Sequence, residues 1–167
     1  MIFKHIDGVV SEAVFSPCGR YRYRLTVDRF ESPAEKVVCV IMQNPSVANA
    51  DVADKSVQFI ENLIFMKGYQ EFDNVIRIIV VNQYALVQTN GFAGTDEHVG
   101  PENDRHIAQA LDEADIVLAA WGSSNPYKDR QEVINTMLAA RQVEALYKTK
   151  KHPSRGTYND FVEPYGI

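Results

Sequence analysis

Four short polar segments each close a hydrophobic, strand-like run: Met42-Gln43-Asn44-Pro45-Ser46, Val81-Asn82-Gln83-Tyr84, Ala120-Trp121-Gly122-Ser123 and His152-Pro153-Ser154. Their residue types suit recognition of a flat heteroaromatic ligand. A side-chain amide such as that of Gln43, Asn44 or Asn82 carries both a donor and an acceptor, the combination that pairs with a nucleobase edge. His152 offers a donor for charge that develops during a reaction, and such a donor in a dry site is often the largest catalytic contribution. Gly122 permits close backbone approach, and Ser123 and Ser154 are hydroxyls of the kind that bind phosphate. In an open α/β sheet, ligands collect at the carboxyl ends of the parallel strands.

The elements that must position these segments follow from hydrophobic patterning. Val37–Met42 is a continuous apolar run, as expected of a strand buried on both faces. Asp54 can cap a helix with Val57, Ile60, Leu63 and Ile64 as its inward stripe, ended near Gly68. Asn74–Val81 and Ile116–Ala120 are two more strands, with a polar loop over 87–100 between them. Gly100-Pro101-Glu102-Asn103 opens a helix with Ile107, Ala110, Leu111 and Ala114 inward. Asp129 and Glu132 have capping-box spacing ahead of Val133, Ile134, Met137 and Leu138. Val143–Tyr147 is a weaker fourth strand, and 155–167 reads as an irregular tail. This alternation predicts one α/β domain over 1–167, a three-layer sandwich with a central parallel four-stranded sheet. The core spans 37–154, and residues 1–36 form an N-terminal β-hairpin extension.

Within that hairpin, Pro17-Cys18-Gly19 is the turn. Strict alternation puts Arg22 and Arg24 on one face and Tyr21, Tyr23 and Leu25 on the other. Such a strand serves either as an edge with a solvated face or as an arginine pair facing phosphate, and edge-strand habits favour the first.

Bulk properties narrow the function classes. The 167 residues carry a formal net charge of −5, which argues against broad non-specific coating of nucleic acid and leaves room for a local basic rim. Lys148, Lys150 and Lys151 supply such a rim just before His152. No apolar run is long enough to span a bilayer, and Met1–Asp7 lacks a signal-peptide layout, so a cytoplasmic protein with no membrane partner is expected. Cys18 and Cys39 read as reduced thiols. His98 and His106 have no ligand spacing around them, so no metal and no cofactor are expected.

The chain resembles a bacterial and phage family, the domain-of-unknown-function 1643 family. The matching segments are Gly19–Tyr23, Asn44–Ser46, Asn82–Leu86, Gly100–His106 and Ala120–Gly122. The four strand-end segments also resemble, in order and character, those of the uracil-DNA glycosylase superfamily. Met42-Gln43-Asn44-Pro45 falls on its Gly-x-Asp/Asn-Pro motif, Asn82 on its base-reading Asn, Trp121-Gly122-Ser123 on its third-strand turn and His152-Pro153-Ser154 on its His-Pro-Ser.

That second resemblance implies a uracil-DNA-glycosylase-like fold and hydrolysis of an N-glycosidic bond. Asn44 would hold the attacking water and His152 would stabilise the departing base. Gln43, Ser46, Asn82, Tyr84, Gly122, Ser123, Ser154 and Arg155 would bind substrate. Tyr84, Tyr69 or Phe59 would offer a stacking face. Departures are plain: Met42 replaces Gly, Ser46 stands where uracil-specific members screen bases, and Arg155-Gly156 replaces an apolar wedge. Base flipping from a duplex costs a few kcal/mol, so single-stranded nucleic acid or a free nucleotide is the favoured partner. Two other readings stay open. One is a non-catalytic module for a nucleotide or modified base. The other is an interaction protein that works through the charged helix start at Gly100–His106.

Overall fold

The computed structural model describes residues 3–88 and 90–167. Seven strands form one sheet: β1 (Val9–Phe15), β2 (Arg22–Arg29), β3 (Lys36–Met42), β4 (Val75–Asn82), β5 (Ile116–Ala119), β6 (Ala145–Thr149) and β7 (Val162–Pro164). Their spatial order is β1-β2-β4-β3-β5-β6-β7. The central quartet β4-β3-β5-β6 is parallel, whereas β1-β2, β2-β4 and β6-β7 pair antiparallel. The sheet is therefore mostly, not purely, parallel.

Alternation along the central strands divides the core. Val38, Val40, Ile78 and Val80 pack with Val57, Ile60, Leu63 and Ile64 of helix α1 (Lys55–Phe65). Cys39, Ile41, Ile79 and Val81 face the other way. They meet Ile107 and Leu111 of α3 (Asn103–Glu113) and Ile134 and Leu138 of α4 (Lys128–Arg141). Between β4 and α3 the loop contains a single helical turn, α2 (Asp96–Val99).

Several expectations are corrected. The sheet is wider than the four parallel strands expected, because the N-terminal hairpin is joined to it. β2 is an interior strand that pairs with β4 from Leu25↔Val80 to Asp28↔Arg77. The tail is not wholly irregular, because β7 closes the opposite side against β6. Asp129 does not cap α4: the helix begins at Lys128, leaving Asp129 in its first turn.

The pairing register also overturns the simple face assignment in β2. Val14 faces Arg24 while Phe15 faces Arg22, so Tyr23 is the extra residue of a β-bulge. A bulge breaks period-2 alternation and separates the two arginines. Arg24 reaches Glu113 on α3, whereas Arg22 points to Ala48 and Asn82. Arg22 is only 2% exposed, so it does not belong to a solvated edge.

Candidate functional site

A cleft of about 330 Å³ opens where β3, β4, β5 and β6 end. Gln43, Asn44, Ser46, Asn82, His152, Ser154 and Arg155 all line it, so three of the four strand-end segments and the turn after His152 converge there. Trp121 lines it from the remaining segment. The lining also includes polar residues that the sequence does not mark as ligand contacts, among them Asp54, Ser56, Gln88, Ser124 and Asn125, and it includes Arg22, for which edge-strand habits favour the solvated reading.

One wall is a chain of side-chain amides. Asn125 and Gln83 exchange reciprocal hydrogen bonds: Gln83 Nε2 donates to Asn125 Oδ1 at 3.2 Å, and Asn125 Nδ2 donates to Gln83 Oε1 at 2.9 Å. Asn125 Nδ2 also donates to Gln43 Oε1, and Gln43 Nε2 donates to Asn44 Oδ1 at 3.0 Å. Asn44 Nδ2 in turn donates to the carbonyls of Gln88 and Pro45. Both amide hydrogens of Asn44 are thus committed, and its oxygen already accepts one bond. Gln131 fixes the far end through Asn125 Oδ1. Such a network holds polar groups in place before a ligand arrives.

Arg22 and Asn82 form a different kind of wall. Arg22 Nη1 donates to Ala48 O at 2.8 Å, and Nη2 makes a long contact to Asn82 Oδ1 at 3.4 Å. Arg22 Nε and Asn82 Nδ2 are buried without a hydrogen-bond partner. Buried polar groups are normally satisfied, so two adjacent orphan donors on a cleft are informative. Among the described residues no carboxylate forms an ion pair with Arg22. Burial lowers its pKa to about 10, with Asp54 opposing the shift, which leaves the guanidinium cationic at neutral pH.

His152 is set by its own turn and by Gly122. The Ser154 backbone N–H donates to His152 Nδ1 at 3.1 Å, so that nitrogen carries a lone pair. The neutral ring therefore keeps its proton on Nε2. Burial holds its pKa below the ordinary histidine value, against an opposing effect of Asp54 and with Arg155 reinforcing. Gly122 has φ +88°, and a Cβ there would lie 2.5 Å from the His152 backbone nitrogen. Gly122 thus lets the β5 and β6 ends approach and lies outside the lining of the cleft. Asp54 is the lining carboxylate. Its Oδ1 accepts from Val57 N at 2.8 Å as the N-cap of α1, and the residue also borders the cleft.

Other sequence candidates lie elsewhere. Tyr84 packs edge-to-face against Phe92 and Tyr127, with the Arg130 guanidinium over its ring. Ser123 donates to Lys150 O and lines a separate, smaller depression with Trp121 and Gly122. Phe59 stacks on Tyr158, and the Tyr69 hydroxyl donates to Tyr158 O, so both rings serve the core around α1. The expected basic rim is partly neutralised, because Lys148 pairs with Glu163 and Lys150 with Asp160.

The Gly100–His106 segment has structural duties. Asn103 is fully buried and donates to the carbonyls of Asn82 and Gln83. Arg130 donates to Gln83 O and pairs with Asp104. His106 stacks on Tyr23. Among the described residues, no group of three His, Cys, Asp or Glu could hold a metal, and no helix is long and apolar enough to cross a membrane.

The model of one family, described as "Protein of unknown function (DUF1643)", matches residues 22–155. The chain belongs to this family. The matched span begins at Arg22 and ends at Arg155, so it includes every residue that lines the cleft. No curated protein and no solved structure matches the chain.

Proposed function

We propose that the cleft recognises a nucleobase, carried on a free nucleotide or on single-stranded nucleic acid, and that it hydrolyses the N-glycosidic bond. The observation that carries this reading is the fixed amide wall on a cleft that Asn82, with its unpaired Nδ2–H, also lines. Amide groups held in place are suited to reading a base edge. A volume of about 330 Å³ lies at the small end of the range for ligand pockets and accommodates a nucleoside-sized group. The resemblance of the strand-end order to the uracil-DNA glycosylase superfamily supports the same reading.

The chemistry would divide among three residues. Asn44 orients water through the remaining lone pair of Oδ1. Asp54 accepts the proton of that water as oxygen attacks C1′. The C1′–N bond breaks, its electron pair leaves with the base, and His152 Nε2–H stabilises the negative charge. Asp54 enters because an amide is no general base whereas a carboxylate is.

The experiment is a base-release assay on deoxyuridine 5′-monophosphate and on single-stranded and duplex DNA carrying uracil and a panel of modified bases, with His152→Ala and Asp54→Asn alongside. Release from the monophosphate or from single strands that falls by about 100-fold or more in either variant is expected, the usual scale of general acid–base contributions. Equal release by the wild type and both variants contradicts the assignment. A second reading, nucleobase binding without turnover, is favoured by one observation: the amide hydrogens of Asn44 are both committed to backbone carbonyls. A complex with no product after long incubation would select it.

A further inference from the structure

The amide wall explains how a base edge is read, but it leaves Arg22 without a purpose. A guanidinium taken out of water is costly unless it is paired. Arg22 is 2% exposed, forms no ion pair among the described residues, and sits on the cleft. Its Nη1 supports Ala48 O, which uses one edge of the group. The other edge, Nε and Nη2, is the side-on fork that matches two oxygens of a carboxylate or phosphate. On that edge Nε has no partner, and Nη2 has only the 3.4 Å contact to Asn82 Oδ1. Asn82 Nδ2, the adjacent orphan on a residue that is also 2% exposed, carries two N–H donors, so one can meet an anion while the other meets a base edge.

We propose that Arg22 and Asn82 form an oxyanion recess within the cleft, so that its ligand carries a terminal phosphate or carboxylate group. Two donors that lack acceptors inside the protein are complementary to an acceptor-only group. The lining has the sign for it: Arg22 and Arg155 are cationic, His152 is held neutral, and Asp54 is the opposing charge, contributed by the start of α1. Arg155 Nη2 donates to Ser124 Oγ at 3.1 Å, which holds the second cation on the cleft. Because Arg22 is buried, the group that reaches it must be a chain end or a substituent. Internal phosphodiesters of a polymer, flanked on both sides, fit such a recess poorly. The proposal rests on the cleft reading given above only for the base. The oxyanion itself is independent of it.

The test is calorimetric titration and thermal shift with four probes: inorganic phosphate, acetate, deoxyuridine and deoxyuridine 5′-monophosphate. Each is run on the wild type, Arg22→Met and Arg22→Lys. The wild type should be stabilised by phosphate or acetate alone, which tells the two oxyanions apart. The monophosphate should bind at least about ten-fold tighter than the nucleoside, as expected for a charge-assisted bidentate contact. Arg22→Met should erase that difference while melting no lower than the wild type in the absence of anions, since it removes an unpaired buried charge. Arg22→Lys should retain part of it.

Equal affinity for nucleoside and nucleotide, with no stabilisation by either oxyanion, overturns the recess. So does an Arg22→Met protein that melts lower and keeps its anion response, which would make Arg22 a mere prop for Ala48. If Arg22→Met does not fold, the wild-type oxyanion series decides alone. Binding of phosphate without any nucleoside binding would spare the recess and remove the base reading instead.

Discussion

Asn103 Nδ2 donates to the carbonyl of Asn82 at 3.0 Å, which ties the first turn of α3 to the last residue of β4. The same nitrogen contacts Gln83 O. An element remote from the cleft thereby sets the backbone that carries Asn82. Asn103→Ala takes the side-chain donor away from the buried Asn82 carbonyl, leaves Gln83 O to Arg130 Nε alone, and opens space beside them. Loss of a buried partner costs about 1–3 kcal/mol, and that drop is expected in urea denaturation. Ligand binding at Asn82 should weaken in the same variant.

Gly122→Ala should be more damaging than its size suggests. The φ of +88° is unfavourable for any Cβ, and the new atom would meet the His152 backbone. Denaturation should show a loss of about 1 kcal/mol or more from the backbone alone. The His152 ring signals in NMR should shift as the turn moves away. An unchanged His152 environment would show that the close approach is not what positions the ring.

His152 titrates below the ordinary histidine range, chiefly because it is buried. Its folded pKa is depressed, so the unfolded chain takes up the proton first. Its contribution to stability is full above the unfolded value of about 6.5 and is lost as pH falls through the lower folded value. Protonation also removes the lone pair that accepts the Ser154 N–H. An NMR titration should therefore place the His152 midpoint below that of a free histidine. Base-dependent binding should fade across the same interval.

His5 runs in the opposite sense. Burial pulls its pKa down, but the Glu61 hydrogen bond, the Asn49 carbonyl and the Glu61 charge outweigh it, and the net shift is upward. His5 Nδ1 lies 2.5 Å from Glu61 Oε2, and Glu61 Oε1 accepts from Ile6 N. A raised folded pKa means the stabilisation is complete below the unfolded value and fades as pH rises through the folded one. His5→Ala should therefore cost more stability at about pH 5.5 than at about pH 8.5, as measured by urea denaturation at both.

The two thiols should separate cleanly. Cys18 is exposed, and its pKa is lowered chiefly by the Ser16 hydroxyl, whereas Cys39 is fully buried and pushed up to about 12 by burial. A thiolate is the reactive form. A thiol reagent should label Cys18 in the native protein, with Cys39 appearing only after denaturant is added.

Much of this architecture is legible in local pattern, because burial writes its period into the chain. Val37–Met42 is apolar throughout because β3 lies between two strands and between two helical layers. Asp54 reads as a cap and is one. The segments at Asn44, Asn82 and His152 reach one cleft because they end parallel strands. What escapes is what pairing decides. The bulge at Tyr23 leaves no mark in the residue types of β2, yet it separates Arg22 from Arg24. Val162–Pro164 is too short to announce itself and becomes a strand only against β6. Tyr84 has the composition of a stacking residue, and only the aromatic cluster with Phe92 and Tyr127 draws it away from the cleft. Arg22 and Arg24 two apart in a β-prone run are the signal for an anion-facing pair, but edge-strand habits favour a solvated face, and only the pairing of β2 with β4 buries Arg22.

Calorimetric titration of the wild type and Asn82→Leu with a panel of nucleosides, which carry no phosphate, tests the nucleobase reading most directly. At least one base should bind the wild type, and Asn82→Leu should weaken it by about ten-fold or more, the scale of one lost buried hydrogen bond. A panel in which no base binds, or in which Asn82→Leu binds as tightly as the wild type, contradicts that reading.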